Sequence, residues 1–515
     1  MPRQPGANVW APPKPAPKPL WDTGTAPERP APPGGRVLLG VLLSGLVAAT
    51  VLSDGVGVNL LLVALAAAVA AGSAAVARGR RARPWTVVWG VSAFALLLVP
   101  VLSDAGWPSF LAFVAAVGAA SLALHGGTRW AAVLLGPIWL LPHFFTALPW
   151  AARGLKGRSL PSSARSRAVP LVKSVVVTGL LLLVFGALFA SADAAVGELV
   201  DELVPSFDLG ELPFRVFLFG VGVAVALAAA HLAAAPRRFD RLPVGPGRER
   251  GRTEWALPMV ALNLLFGAFV AIQAVVFFGG YEAVMSKPGL VPAEYARQGF
   301  WQLLWVTVLA LAVVALAQRW APRQTASDRL LAKGLVGLLC VLTLVVVASA
   351  YYRMQRYVDV FGLTRLRVTV TAAELWLGVV FLLVLAAVLA GASVARLLPR
   401  AVALSAVAGV AVFGLVRPDA LIAEQNVARF ERLGTIDLDY LSSLSADAVP
   451  ALDRLPADRR TCALQYLAES LDGRDTPWYA ASLSESRAQQ LLRERPVDLK
   501  ARCSTSRYPM GEELP

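Results

Sequence analysis

Arginine, tyrosine and glutamate side chains cluster in two polar segments, residues 281–305 and 351–370, that separate long apolar runs. A guanidinium group holds phosphate or carboxylate through two parallel hydrogen bonds, so these segments could bind an anion or a lipid headgroup. The side chains that could form the site are Glu294, Tyr295, Arg297, Arg353, Tyr357, Thr364, Arg365 and Arg367. The alternative is a structural lattice in which the arginines pair with Glu282, Glu294 or Glu374. We expect the two segments to touch.

Motifs of the common enzyme and metal sites are absent from the sequence. It contains no phosphate-binding P-loop, no GxSxG nucleophile motif and no HExxH zinc motif. Its three histidines, His125, His143 and His231, are scattered without metal-ligand spacing. Charged residues inside apolar segments are few, and we expect Glu374 near a helix end, where it can reach water. We therefore predict no catalytic residue, no metal and no cofactor, and favour a protein that is not an enzyme.

The composition is that of a membrane protein. Of 515 residues, 57% are hydrophobic and 16% charged, and the mean hydropathy is +0.60. In soluble proteins about 45–50% of the residues are apolar and about 25% are charged. The apolar runs can cross a hydrocarbon core of about 30 Å as helices, and they lack the period of two of barrel strands. The predicted fold is an all-α bundle of transmembrane helices. The predicted spans are residues 37–53, 57–77, 85–103, 109–126, 170–190, 213–235, 255–279, 300–318, 330–352, 372–391 and 401–416.

The segment 129–150 complicates the number of crossings. It is apolar but contains Pro137, Pro142 and Pro149, and proline disfavours a regular helix because it lacks a donor and clashes with the preceding turn. We interpret the segment as re-entrant or interfacial, which leaves the eleven spans given above. A proline-kinked twelfth span is the alternative.

Loop charges predict the orientation. Basic residues concentrate in the loops around 78–83, 153–167, 237–252 and 319–329, whereas residues 191–212 carry only acidic charges. The positive-inside rule places the four basic loops in the cytoplasm and the acidic one outside. The net charge of +14 follows from these loops, and no basic stripe with stacking aromatics indicates nucleic acid. We predict a multipass plasma-membrane protein with a cytoplasmic N-terminus and an extracytoplasmic C-terminus.

The two ends of the chain differ from its apolar middle. Residues 1–35 are rich in proline and predict a disordered cytoplasmic tail, which is followed by a transmembrane domain over 36–416. Residues 417–515 carry mixed charges and helical patterns, which predict a small extracytoplasmic α-helical domain. Cys462 and Cys503 lie in it and could form a disulfide outside the cell, although their spacing alone does not prove the pair.

Three segments carry a resemblance to a known family. AEYARQGFWQLL (293–304), RMQRYVDVFGLTRLRV (353–368) and GTIDLDYLSSLSADAVPAL (434–452) resemble a bacterial multipass membrane family that is catalogued only as a domain of unknown function. The resemblance covers residues 36–460 and implies an integral membrane protein of bacterial type. It brings no catalytic residues. The family-like positions are Glu294, Tyr295, Arg297, Gly299, Phe300, Tyr357, Gly362, Leu363, Thr364 and Arg365.

Three functions are compatible with these features. The first is a membrane-embedded regulator or scaffold of the cell envelope, which contacts membrane lipids and, through residues 417–515, an envelope protein. The second is a transporter or lipid-handling protein that uses the arginine-rich segments as an anion or headgroup site. The third is an envelope enzyme that acts on a lipid-linked substrate with Glu294 as a base. We favour the first, because few charges lie inside the apolar spans.

Overall fold

A computed structural model describes residues 30–138, 140–156, 178, 212–236, 239–241, 251–278, 300–322, 324–474, 476–500 and 503. Every regular element in these ranges is helical. The α-helices are α1 (Gly35–Val51), α2 (Val58–Val76), α3 (Pro84–Leu96), α4 (Val99–Leu102), α5 (Gly106–His125), α6 (Trp130–Ile138), α7 (Leu140–Lys156), α8 (Leu212–Ala234), α9 (Arg252–Phe278), α10 (Phe300–Trp320), α11 (Ala326–Phe361), α12 (Arg365–Ala390), α13 (Ala392–Ala395), α14 (Leu398–Leu415), α15 (Pro418–Leu433), α16 (Leu438–Ser442), α17 (Val449–Leu452), α18 (Ala457–Leu471) and α19 (Leu483–Glu494). Short 3-10 turns lie at Phe239–Arg241 and Ala446–Ala448.

Apolar helices lie at nearly all the predicted spans. Within the described ranges, nine helical segments are long and apolar enough to cross a membrane, and α1 is a shorter apolar helix of 17 residues. Each predicted span has a matching helix except 170–190, of which only residue 178 is described. Residues 1–29 of the predicted tail lie outside the described residues. The prediction of an all-α, multipass integral membrane protein is confirmed. The total of eleven spans stays a prediction.

Three groups of helices build the apolar core. Helices α1, α2, α7 and α8 pack around Ala70, helices α9 to α12 pack around Phe381, and helices α3, α5 and α14 pack around Trp89. Each of these three side chains is fully buried. Close contact through alanine and glycine is typical of membrane helices, because small residues let two backbones approach.

Helices α15 to α19, here called the C-terminal helices, pack on one end of the bundle. Their core contains the fully buried Ile422, Leu452 and Leu464, and it is continued by Val368 of α12 and Phe413 of α14. We call this end of the bundle the domain face, and the other end the opposite face. The turns between α1 and α2, between α4 and α5, and between α11 and α12 all lie on the domain face, because each contacts the C-terminal helices.

Helices α6 and α7 occupy the proline-containing segment, and their axes differ by 68°. The start of α6 lies on the opposite face, because Asp240, just after α8, accepts hydrogen bonds from the backbone of Thr128 and Arg129, both at 3.0 Å. The far part of α7 also lies there, because Trp150 Nε1 donates to the carbonyl of Ala31, just before α1, at 2.8 Å.

The loop after α2 contacts both the segment just before α1 and the end of α8. Arg78 donates to the carbonyl of Ala31 at 2.6 Å, and Arg80 donates to the carbonyl of Ala233, near the end of α8, at 2.9 Å. The bent pair α6–α7 therefore leaves and returns to the same face of the bundle. This geometry agrees with the re-entrant interpretation and does not support a kinked twelfth span.

Single-cysteine labelling tests the re-entrant geometry. We expect Arg129→Cys and Arg153→Cys, both exposed, to react with a membrane-impermeant maleimide from the same side of sealed vesicles. Thr435→Cys, in the exposed turn after α15, should react from the other side, and the parent chain gives the background from native thiols. Labelling of Arg153→Cys and Thr435→Cys from one side would show that α6–α7 crosses the membrane.

Candidate functional site

The predicted anion site is divided between described and undescribed parts of the chain. Glu294, Tyr295, Arg297 and Glu282 lie outside the described residues, so the contact between the two polar segments stays a prediction. The other predicted residues surround the turn between α11 and α12 on the domain face. They are Arg353, Tyr357, Thr364, Arg365 and Arg367.

Gly362 and Thr364 shape the turn between α11 and α12. Gly362 has a φ of +75°, and a Cβ atom there would collide with Asn426 Oδ1, so only glycine fits. The Thr364 hydroxyl caps α12 by accepting from the backbone N–H of Arg367. Asn426 of α15 donates to the carbonyl of Leu363 at 2.9 Å. The C-terminal helices thus hold this turn directly.

Arg365, the first residue of α12, forms a bidentate ion pair with Asp419 of α15. Its Nε lies 3.0 Å from Asp419 Oδ1, and its Nη2 lies 2.6 Å from Oδ2. The same Nη2 donates to the carbonyl of Ser443 at 3.2 Å, and the Arg365 backbone N–H donates to the Tyr440 hydroxyl at 2.7 Å. The guanidinium therefore joins a membrane helix to the C-terminal helices.

The Asp419 carboxylate is fully buried and accepts two further hydrogen bonds. Trp107 Nε1 of α5 donates to Oδ1 at 3.1 Å, and the backbone N–H of Ser445 donates to Oδ2 at 2.9 Å. Burial alone would raise the pKa of this carboxyl, but the hydrogen bonds from Arg365, Ser445 and Trp107 outweigh burial and lower its pKa below the usual value. Asp419 is therefore a buried anion that connects α5, α12 and α15.

The other predicted arginines in the described ranges also have partners. Arg353 donates to Gln273 Oε1 of α9 at 2.7 Å. Arg367 donates to the carbonyls of Phe361 and Gly362, and its guanidinium lies 4.4 Å from the centre of the Tyr357 ring. These contacts favour the structural lattice over an anion site at these side chains.

Glu374 pairs with none of the arginines in the described ranges. We expected it near a helix end, but it lies inside α12 with no solvent exposure, and neither carboxyl oxygen has a hydrogen-bond partner among the residues that the structure describes. The reason is the helical period, which places Glu374 on the same buried face as Gly378 and Phe381. The carboxylate that pairs with Arg365 is Asp419 and not one of the glutamates that we expected.

A second polar contact fastens the 3-10 turn before α17 to the turn between α4 and α5. The Ser103 hydroxyl donates to Asp447 Oδ2 at 2.5 Å, and the backbone N–H of Asp104 donates to Asp447 Oδ1 at 3.2 Å. In return, Asp104 Oδ2 accepts from the backbone N–H of Ala446 at 3.1 Å. Each aspartate carboxylate thus accepts a hydrogen bond from a backbone N–H of the turn that contains the other aspartate. Burial raises the pKa of Asp104.

A third contact fastens the segment before α19 to the turn between α1 and α2. The Tyr479 hydroxyl donates to Asp54 Oδ2 at 2.6 Å, and the Tyr479 carbonyl accepts from the backbone N–H of Asn59 at 3.0 Å. The Ser484 hydroxyl donates to the carbonyl of Leu102 at 2.9 Å. The C-terminal helices therefore contact three separate turns of the membrane helices. We call these three sets of contacts the clamp, and the contacts of Arg365 with Asp419 the central clamp.

A cleft of about 600 Å³ remains between these contacts. It lies on the domain face and is lined by both the membrane turns and the C-terminal helices. Its lining residues are Ser53, Asp54, Gly55, Val56, Pro100, Ser103, Asp104, Gly106, Ser109, Arg474, Thr476, Pro477, Ala480, Ser482 and Glu485. Sequence reasoning missed this cleft, because its lining comes from three distant parts of the chain.

The three histidines are not scattered in the structure. His125 of α5, His143 of α7 and His231 of α8 are all buried, with ring centres 5.9 Å apart for the first two and 5.7 Å apart for the last two. Trp150 packs on His231. In the part of the chain that the structure describes, no group of three or more side chains could hold a metal ion. The cluster packs α7 against α5 and α8.

Cys462 of α18 and Cys503 are brought together. Their Cα atoms lie 5.4 Å apart with the sulfur atoms joined, a separation that a disulfide requires. The bridge ties the end of the chain to α18. Whether it forms in the cell depends on the compartment of the C-terminal helices, so the disulfide stays a prediction that this geometry supports. The remaining cysteine, Cys340, is buried in α11.

The fold and its clamped domain face define a multipass helical membrane protein with a cap of C-terminal helices. Residues 90–455 match the family described as Domain of unknown function (DUF4153), which is more than half of the chain. The chain belongs to this family, and the predicted membership in a family of unknown function is confirmed. The match contains the three segments that carried the resemblance. No curated protein and no solved structure matches the chain.

Replacement of Asp419 tests the central clamp. Asp419→Asn leaves the Arg365 guanidinium without its anion, so we expect the free energy of unfolding in detergent to fall by about 2–4 kcal/mol at neutral pH. The lowered pKa means that the ionised form stabilises the fold above about pH 4 and that this contribution is lost as the pH falls further. The parent should therefore lose its advantage over Asp419→Asn in thermal unfolding below about pH 4. Equal stability at neutral pH would contradict the clamp.

Replacement of Glu374 by an apolar residue should raise the free energy of unfolding, whereas Asp419→Asn lowers it. Glu374→Leu removes two buried acceptors that have no donor in the described part of the chain, so we expect the free energy of unfolding to rise by about 1–3 kcal/mol. Glu374→Gln keeps a buried polar group of the same shape and serves as the control with a smaller change. Thermal unfolding in detergent measures both, and a loss of stability in Glu374→Leu would mean that the carboxyl has a stabilising partner.

Proposed function

We propose that this protein is a membrane-embedded scaffold or regulator of the cell envelope, with its C-terminal helical domain, residues 417–515, held outside the plasma membrane. The observation that carries the proposal is the clamp between this domain and three turns of the membrane helices. Such a clamp gives the domain a fixed orientation relative to the bilayer. A fixed orientation is what a protein needs to present a surface to an envelope partner.

Loop charges support the proposed orientation. The domain-face turns at 52–57 and 103–105 contain Asp54 and Asp104 but no lysine or arginine. The loop at 77–83, on the opposite face, contains four arginines. The positive-inside rule therefore favours a cytoplasmic opposite face, with the N-terminus there, and an extracytoplasmic domain face.

The surface of the C-terminal helices offers contact points for a partner. Tyr466 of α18 and Leu433 at the end of α15 are exposed to 65% and 57%. Tyrosine is enriched at protein interfaces, and an exposed leucine adds apolar surface that a partner can bury. Membrane lipids would contact the apolar faces of α2, α9 and α14, which expose many leucine and valine side chains.

The alternatives receive less support from the geometry. A transporter or lipid-handling protein with an anion site at Arg353, Arg365 and Arg367 would need guanidinium groups that are available, but these three have partners. An envelope enzyme with Glu294 as its base rests on a residue outside the described ranges.

Site-specific photocrosslinking in cells tests the scaffold function. With p-benzoylphenylalanine at Tyr466, we expect one adduct of discrete mass, because the clamped domain presents this position in a single orientation. The adduct should weaken when Asp419→Ala loosens the clamp, and the same probe at Arg129, on the opposite face, is the control that should not form it. An adduct that is unchanged by Asp419→Ala, or no adduct at Tyr466 and Leu433, would contradict the proposal.

A further inference from the structure

The cleft on the domain face has no role in the scaffold proposal. It measures about 600 Å³, and its walls come from the turn between α1 and α2, the turn between α4 and α5, and residues 474–485. This volume is in the range of sites for small ligands, which lie in clefts with a few converging polar groups. A ligand bound here would go beyond the proposed scaffold function.

Three carboxyl groups line the cleft. Asp54 accepts from Tyr479 and Ser53 at 2.6 and 2.9 Å, and Glu485 accepts from the Thr476 hydroxyl at 3.0 Å. Asp104 accepts from a backbone N–H of the C-terminal helices. These bonds fix the positions of the carboxyl groups but leave acceptor capacity, since each carboxylate offers about four lone-pair sites. The walls can therefore accept hydrogen bonds from a cationic donor such as an ammonium group.

One guanidinium faces the same cleft. Arg474 lines it, and its side chain is exposed and has no hydrogen-bond or ion-pair partner among the described residues. The charges of Arg474, Glu485 and Asp447 all affect the pKa of Asp104, so these groups lie close to one another. A free guanidinium fork is suited to a phosphate group. The cleft thus combines sites for a cation and for an anion.

The cleft lies where the membrane helices end. Helix α2 begins at Val58 just beyond it, and α4 and α5 meet beside it at Asp104. The chain next to the cleft exposes Val56 to 55%, Trp478 to 78% and Leu483 to 60%. Tryptophan prefers the membrane–water interface, where its apolar ring and polar N–H meet matching surroundings. This rim would face the headgroup layer and the upper part of the acyl chains.

We infer that the cleft binds a zwitterionic phosphoethanolamine group, with the primary ammonium beside Asp54, Asp104 and Glu485 and the phosphate at Arg474. The apolar rim favours a phospholipid as the source of this group. A free phosphoethanolamine ester carries the same chemistry and is the other source. An anionic glycerol headgroup has no cation for the three carboxyl groups. A choline headgroup has no N–H donor for them.

The test measures lipid binding by the purified full-length protein in detergent. We expect phosphatidylethanolamine to raise the thermal unfolding midpoint and to stay bound in native mass spectrometry more than phosphatidylglycerol or phosphatidylcholine. Arg474→Gln should weaken phosphatidylethanolamine binding about tenfold, because it removes a charge-assisted hydrogen-bond donor. Asp104→Asn keeps an acceptor for the Ala446 N–H and should weaken binding through the ammonium.

Arg487→Gln is the matched control, because Arg487 is exposed on α19 and does not line the cleft. It should bind as the parent does. Equal binding of the three lipids by the parent, or unchanged phosphatidylethanolamine binding in Arg474→Gln, would overturn the proposal. The Arg474 side chain has no hydrogen-bond or ion-pair partner within the described ranges, so Arg474→Gln should fold normally and keep the test decisive.

Competition by glycerophosphoethanolamine separates the two sources. If the soluble ester displaces the lipid at a similar concentration, the polar group alone supplies the binding and a free ester is a competent ligand. If it fails to displace the lipid, the acyl chains contribute along the apolar rim and the ligand is the phospholipid. Both results support the cleft as a phosphoethanolamine site, provided that the Arg474→Gln effect is present.

Discussion

The buried carboxylate of Asp419 is the interaction on which the arrangement of the domain face depends. A carboxylate without solvent exposure is costly unless it is paired and its oxygens accept hydrogen bonds. Its donors come from Arg365 of α12, Trp107 of α5 and the backbone of Ser445. These elements must therefore meet at one point, and the C-terminal helices can occupy only one position on the bundle.

The contacts around Asp419 follow from this constraint. Once α15 is fixed, Asn426 reaches the turn at Leu363, and Asp447 reaches the turn at Asp104. Asp104 also lines the cleft, so the cleft walls are positioned by the same contacts. Buried ion pairs contribute little net stability compared with apolar packing, and in some proteins they fix one arrangement among several. We assign that role to Arg365 and Asp419.

Composition and the length of the apolar runs were enough to predict the all-α membrane fold, and the prolines around Pro137 predicted the bend between α6 and α7. Arg365 was recognised as a candidate, but its partner was sought among glutamates, since nothing in the sequence places Asp419 beside it. Glu374 looked like a helix-end residue because its helix begins earlier than hydropathy indicated, at Arg365. The histidine cluster and the cleft depend on tertiary packing, which one sequence does not reveal.

A double-mutant cycle on Arg365 and Asp419 tests the central claim most directly. The free energy of unfolding of the full-length protein is measured in detergent for Arg365→Ala, Asp419→Ala and the double variant. If the pair holds the C-terminal helices on the bundle, each single variant leaves the other charge unpaired, and the double variant loses much less than the sum of the two. Losses that add to within about 0.5 kcal/mol would show that the two residues act independently and would contradict this account.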